Sequence, residues 1–252
     1  VRRAVVEQKL QQMAEDNEIV SDGGRLYLPH IFMQEVETAA KAAAMLMEHT
    51  AKIDVTLPLE QVKQKLGLHL TKRQSRGVEV AMERNLSIIT GGPGTGKTTT
   101  VNAILALYEA MYDRVALCAP TGRAAKRLSE LTHHAASTIH RLLEVDYSTG
   151  NVRFIHNEKN LLKYDVIILD EMSMVDVKLF QALLAAARYH CRIIMVGDAD
   201  QLPSVGPGNI LGEVIRSGLV PTVCLNEIFR QARRSLIVEN AHHIICLLYT
   251  SP

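Results

Sequence analysis

One eight-residue run limits what this chain can fold into more than any other feature: Gly91-Gly92-Pro93-Gly94-Thr95-Gly96-Lys97-Thr98. It fits G-x-x-x-x-G-K-[ST], directly after the apolar run Leu86-Ser87-Ile88-Ile89-Thr90 and directly before a helix-forming stretch. Such a loop needs a strand to launch it and a helix to receive it. Its backbone N–H groups must converge on one phosphate while the helix adds the positive end of its dipole. Lys97 then offers a point charge to β- and γ-oxygens, and Thr98 a hydroxyl to Mg²⁺. The expected nucleotide-binding residues are Gly92, Pro93, Gly94, Thr95, Gly96, Lys97, Thr98 and Thr99, with ATP and Mg²⁺ as cofactors.

The surrounding pattern agrees with that loop. Short apolar runs at 86–90, 115–119, 166–170, 193–197 and 222–225 alternate with helical stretches near 98–110, 123–131, 177–188 and 209–217. Strands alternating with helices predict an α/β fold, a parallel sheet with helices on both faces, and ligands at the carboxyl ends of the strands. The run Val166-Ile167-Ile168-Leu169-Asp170-Glu171 is a Walker B pattern, four apolar residues emerging into two acids. Asp170 is expected to hold Mg²⁺ together with Thr98, and Glu171 to polarise the attacking water.

Residues 1–68 have a different texture. An amphipathic helix over 1–18, a hairpin turning at Asp22-Gly23-Gly24, an Ala- and Met-rich helix over 31–48 and a helix opened by Pro58 read as a small, mainly helical module without catalytic spacing.

Composition narrows the classes. With 47% hydrophobic residues, 22% charged residues and a net charge of +1, the chain is neither an acidic disordered segment nor a polybasic tail. Any nucleic-acid groove must therefore be a local basic stripe. Aromatics make up 4% and Trp is absent, so a surface built on stacked rings has little to draw on. Apolar runs such as 244–249 fall far short of the roughly 18 residues of a membrane span, and no signal peptide is visible. Cys118, Cys191, Cys224 and Cys246 lie far apart, which favours reduced thiols and a cytoplasmic location over a zinc site or disulfide framework. The pairs His133-His134 and His242-His243 read as solvated. A start at Val1 and an end at Pro252 read as those of a piece of a longer chain.

Walker motifs alone leave many nucleotide-driven machines open. The segments between them are APTGRAAKRL at 119–128, TIHRLL at 138–143, DEMSMVD at 170–176, GDADQLPSVGPG at 197–208 and FRQ at 229–231. With GGPGTGKTT at 91–99 they resemble the superfamily 1 DNA helicases, most closely the RecD-like branch, over roughly residues 15–244. The resemblance implies a RecA-like P-loop lobe over 69–225, the truncated start of a second lobe over 226–252, and single-stranded DNA crossing the top in the 5′ to 3′ sense.

It also implies that Gln74 reads adenine, that Gln201 couples γ-phosphate state to DNA contacts, and that Arg230 faces the phosphate from the second lobe. Pro120, Thr121, Gly122, Arg123, Thr138, His140 and Arg141 would line the DNA path, and residues 145–157 would form a hairpin insertion. Partners implied are single-stranded DNA and nuclease or helicase subunits, with no membrane, in recombination or repair. Residues 245–252 depart from the family pattern, so the chain is truncated there or its last residues are foreign. The rival readings are the motor of a conjugative relaxase or Pif1-like helicase, and a nucleotide-gated DNA-binding subunit that never unwinds.

Overall fold

The computed structural model describes residues 3–48, 55–111, 114–146 and 153–227. The amino-terminal elements are α1 (Arg3–Glu15), the hairpin β1 (Val20–Asp22) and β2 (Arg25–Tyr27), α2 (Pro29–Met47) and α3 (Thr56–Leu66). The hairpin closes with Asp22 opposite Arg25, as the Asp-Gly-Gly signal predicts. Helix α1 fully buries no residue, although Leu10, Met13 and Ala14 of its predicted apolar stripe are half-buried. Helix α2 starts with Pro29 at a first-turn position that needs no N–H donor, and it packs on a helix of the following sheet layer. Its Met45 is fully buried in the same cluster as Leu86 and Phe180.

The chain then runs through α4 (Lys72–Glu83), β3 (Leu86–Thr90), α5 (Lys97–Ala110), β4 (Val115–Ala119), α6 (Gly122–Thr132), β5 (Ala136–Thr138) and α7 (Ile139–Leu143). A two-stranded insert, β6 (Val145–Asp146) with β7 (Arg153–Phe154), comes next. It falls within the predicted hairpin insertion, whose Ser148-Thr149-Gly150 turn lies outside the described residues. Then follow β8 (Val166–Leu169), a 3₁₀ turn (Met172–Met174), α8 (Val177–Ala186), β9 (Arg192–Gly197), α9 (Ile210–Ser217) and β10 (Thr222–Cys224).

Six strands form one parallel sheet in the order β10-β3-β9-β8-β4-β5. Side chains on a strand point alternately to the two faces, and the apolar runs split accordingly. Ile167 and Leu169 of β8 join the core on the α2, α8 and α9 side, whereas Val166 and Ile168 join the core on the α4, α5 and α6 side. That two-sided burial is why the strands read as continuous apolar runs. The sequence reading missed β5, whose three residues are too short to display a period, and α4. No helix among the described residues is long and apolar enough to cross a membrane.

Candidate nucleotide and nucleic-acid site

At the carboxyl end of β3 the P-loop enters α5 through Gly96, whose φ of 83° is a left-handed value that a side chain resists. Gly91 is needed for another reason: a Cβ there would collide with the Leu225 carbonyl and lie 2.7 Å from Thr95 Oγ1. The loop is braced from inside. Thr95 Oγ1 donates to the Gly92 carbonyl at 2.8 Å, and Lys97 Nζ donates to the carbonyls of Gly91 and of Gly92, the latter at 3.1 Å.

Gln74 holds the loop from behind. It is 1% exposed, its Oε1 accepts from the Thr71 N–H at 2.9 Å, and its Nε2 donates to the carbonyls of Thr95 and Gly96 at 3.3 Å each. Thr71 Oγ1 accepts in return from the Gln74 N–H, which closes a capping box at the start of α4. Both ends of this carboxamide are thus engaged with protein, and the side chain carries the P-loop's position whatever it does toward a base.

The cavity above the loop has a volume of about 440 Å³ and brings Gly92, Pro93, Gly94, Thr95, Gly96, Lys97, Thr98 and Thr99 together with Asp170, Glu171 and Gln201. Asp170 follows β8 directly. Its carboxyl is pushed up by burial and by the Glu171 charge, against the Glu171 N–H bond and the positive charges of Lys97 and Arg127. A desolvated carboxyl beside a threonine hydroxyl is the donor chemistry of a hard cation such as Mg²⁺. No cluster of three His, Cys, Asp or Glu side chains forms among the described residues, so a cation here must draw most of its ligands from phosphate and water.

Glu171 sits at φ 53°, ψ 42°, a left-handed conformation that costs a non-glycine residue about 1–2 kcal/mol. The backbone around it is held by the Asp170 N–H to the Cys118 carbonyl at 2.9 Å and by the Met174 N–H to the Glu171 carbonyl at 3.0 Å. Buried Ser173 donates to Gln201 Oε1 at 3.3 Å, a direct link between the acidic segment and the glutamine past β9. Strain and alignment of this kind gather where a side chain must be aimed.

Beside the phosphate site, β4 and β5 run parallel with Ala119 opposite Thr138, so the turns that follow them emerge side by side. Pro120 and Thr121 are half-buried in the first turn, while Gly122 and Arg123 are exposed. Thr121 Oγ1 accepts from the Ala124 N–H at 3.2 Å and Thr138 Oγ1 from the Arg141 N–H at 3.1 Å, each capping its helix. A hydroxyl that accepts still has its proton to donate. Exposed His140 packs its ring 5.9 Å from that of Phe154, which ties the insert to α7, and Arg141 is exposed. Of the predicted DNA-lining residues, Pro120, Thr121, Gly122 and Arg123 thus follow β4, and Thr138, His140 and Arg141 lie at the end of the adjacent β5 and in α7. Arg230 lies outside the described residues, as do His242, His243 and Cys246.

Two features escaped the sequence reading. His134 is not free in solvent: its Nε2 meets Glu109 Oε1 at 2.6 Å, clasping the ends of α5 and α6. Arg127 lines the nucleotide cavity with Ala124, Leu128 and Leu131. The helical spacing of those four residues was the available signal.

Comparison with known proteins bears on the family and the fold. The pattern that describes the AAA domain family matches residues 74–207, just over half of the chain. An ATP-dependent RecD2 DNA helicase of Deinococcus radiodurans is 38% identical over 226 residues, covering 88% of this chain and 30% of that protein. The RecBCD enzyme subunit RecD of Mycolicibacterium smegmatis is 36% identical over 216 residues, covering 77% and 38%. The chain therefore spans about a third of the length of these curated relatives. Among solved structures, the Pif1 helicase from Candida albicans shares the fold at a TM-score of 0.50 and 22% identity, covering 70% of this chain and 44% of that one. On the family pattern, which spans more than half of its length, this chain belongs to the AAA domain family, and over most of its length it is similar to RecD-type helicases.

Proposed function

We propose that this chain is the amino-terminal module (1–68), the first RecA-like motor lobe (69–225) and the start of the second lobe (226–252) of an ATP-dependent DNA helicase. The protein would work on single-stranded DNA in the cytoplasm, in recombination or repair, with nuclease or helicase subunits as partners. The observation that carries the reading is the single cavity in which the P-loop meets Asp170, Glu171 and Gln201, beside the rim of capped helices that bears Arg123 and Arg141.

Mg-ATP would seat its phosphates on the P-loop N–H groups and the α5 dipole, with Lys97 against the β- and γ-oxygens. Thr98 and Asp170 would hold Mg²⁺, whose bound charge neutralises the phosphates. Glu171 would orient and deprotonate the attacking water. Gln201, linked through Ser173 to the acidic segment, would report the γ-phosphate to the neighbouring rim. Gln74 would hold the loop through Thr71, Thr95 and Gly96 and would contact adenine only by exchanging one of those bonds, and Arg230 would approach from the second lobe to stabilise transition-state charge. The rim would take the strand mainly by its phosphates, since it offers hydroxyls and guanidinium groups and few aromatic faces.

ATP hydrolysis by the whole protein, with and without single-stranded DNA, tests the reading. Stimulation by the strand, abolished by Lys97→Ala together with a roughly 10- to 100-fold loss of ATP affinity, is expected. ATP binding with no stimulated turnover would instead favour a nucleotide-gated DNA-binding subunit.

A further inference from the structure

We infer that Arg127 is a phosphate-binding arginine of the nucleotide site, reaching the terminal phosphate of ATP from within the same lobe. This rests on the nucleotide-binding reading of the cavity and adds to it a residue that the P-loop and acidic motifs do not contain.

Two observations carry it. First, Arg127 belongs to the stripe Ala124, Arg127, Leu128, Leu131, the face of α6 that lines the cavity shared by Lys97, Asp170 and Gln201. Second, the helix beneath it is fixed and its head is not. Ala125 and Leu128 are buried, Thr121 caps the first turn, and Asn102 Nδ2 of α5 donates to the Leu131 carbonyl at 3.3 Å. The guanidinium, by contrast, has no hydrogen bond or ion pair among the described residues, while neighbouring Lys126 approaches Glu130 at 4.0 Å.

An arginine fixed at its base, free at its head and turned toward a phosphate site presents a planar fork that matches two oxygens at once. Asp170 and Glu171 line the same cavity, but neither forms an ion pair with Arg127 among the described residues. A terminal phosphate, with three equatorial oxygens and the highest charge on the nucleotide, is the partner that geometry suits. DNA phosphate is the competing partner, because Arg123 lies one turn away on the rim.

The test measures the affinity of this chain for a slowly hydrolysed ATP analogue, for ADP and for a fluorescent single strand, in wild type, Arg127→Ala and Arg127→Lys. The expected result is a loss of ATP-analogue affinity of about 10- to 100-fold in Arg127→Ala, the factor a hydrogen bond between charged partners carries. ADP and DNA affinity should change less than about twofold, and lysine should restore only part of the loss because it lacks the fork. An equal loss for ATP analogue and ADP, no loss for either, or a loss confined to DNA would overturn the assignment. A wild type that binds neither nucleotide would overturn the nucleotide-binding reading itself, and this inference with it.

Discussion

Asp165 and Asp170 stand at the two ends of β8 and titrate in opposite directions. At the amino end, the Asp165 carboxylate accepts from Arg114 Nε at 3.1 Å and from Arg114 Nη2 at 3.2 Å, and Arg188 lies 3.8 Å away. Those arginines hold its pKa below the ordinary carboxylate range, Arg114 chiefly through its hydrogen bond. At the carboxyl end, burial raises Asp170, and the positive groups nearby do not offset it. One strand thus carries a charge satisfied within the protein at one end and a charge left unsatisfied at the other. A fold can complete a carboxylate's bonding with arginines wherever stability is all that is required. Where a cation and phosphates are to be bound, the donors and charges must stay available, and the protein accepts a desolvated acid, a left-handed Glu171 and an Arg127 without an ion pair among the described residues.

The largest effect should come from Glu171→Gln. It keeps the side chain's size and removes its basicity, so turnover of the whole protein should fall by about 10²- to 10⁴-fold with ATP still bound. Single-turnover hydrolysis beside equilibrium binding measures both quantities, and equal losses in the two would show that Glu171 holds the site rather than acting as base.

Asp170→Asn should weaken Mg-ATP by about 10- to 100-fold, whereas Asp165→Asn should leave it unchanged, as titration calorimetry with and without Mg²⁺ can show. A similar loss in both variants would erase the functional difference between the two ends.

On the rim, Arg123→Ala and Arg141→Ala should each weaken single-strand binding several-fold. Together they should reduce the slope of log affinity against log salt by about 1.4, from roughly 0.7 per phosphate contact. A salt titration of the double variant that superimposes on wild type removes these residues from the DNA path.

The smallest effect is the pH dependence of Asp165→Asn. A carboxyl whose folded pKa is depressed adds stability above its unfolded pKa and loses it as pH falls through the folded value. Asp165→Asn should therefore melt about 1–4 °C below wild type at neutral pH, since a partly exposed pair contributes little, and the gap should close as acidification protonates the carboxyl in the folded protein. A gap that persists in acid would mean that the asparagine disturbs packing instead.

The parts of this protein legible in the sequence are those whose residues act on near neighbours. The P-loop, the acids after Leu169 and the apolar strands each lie within one short segment, and their chemistry needs a fixed spacing along the chain. The sheet layer emerged for the same reason, because strands covered on both faces are apolar at most positions. Other features depend on which elements come to lie side by side. Strand β5 exists as a strand because β4 offers it an edge, as Ala119 opposite Thr138 records. Gln74 reads as a possible base contact in isolation, yet its 1% exposure follows from the P-loop folding over it. Arg127 and Arg123 are two charges one turn apart on one helix, and only the packing of α6 against α5 sends the first to the nucleotide cavity. Spacing along a chain specifies which residues share a helix or strand face. Which neighbour that face meets, and so which charges are completed and which stay available, is settled by long-range packing that no local stretch encodes.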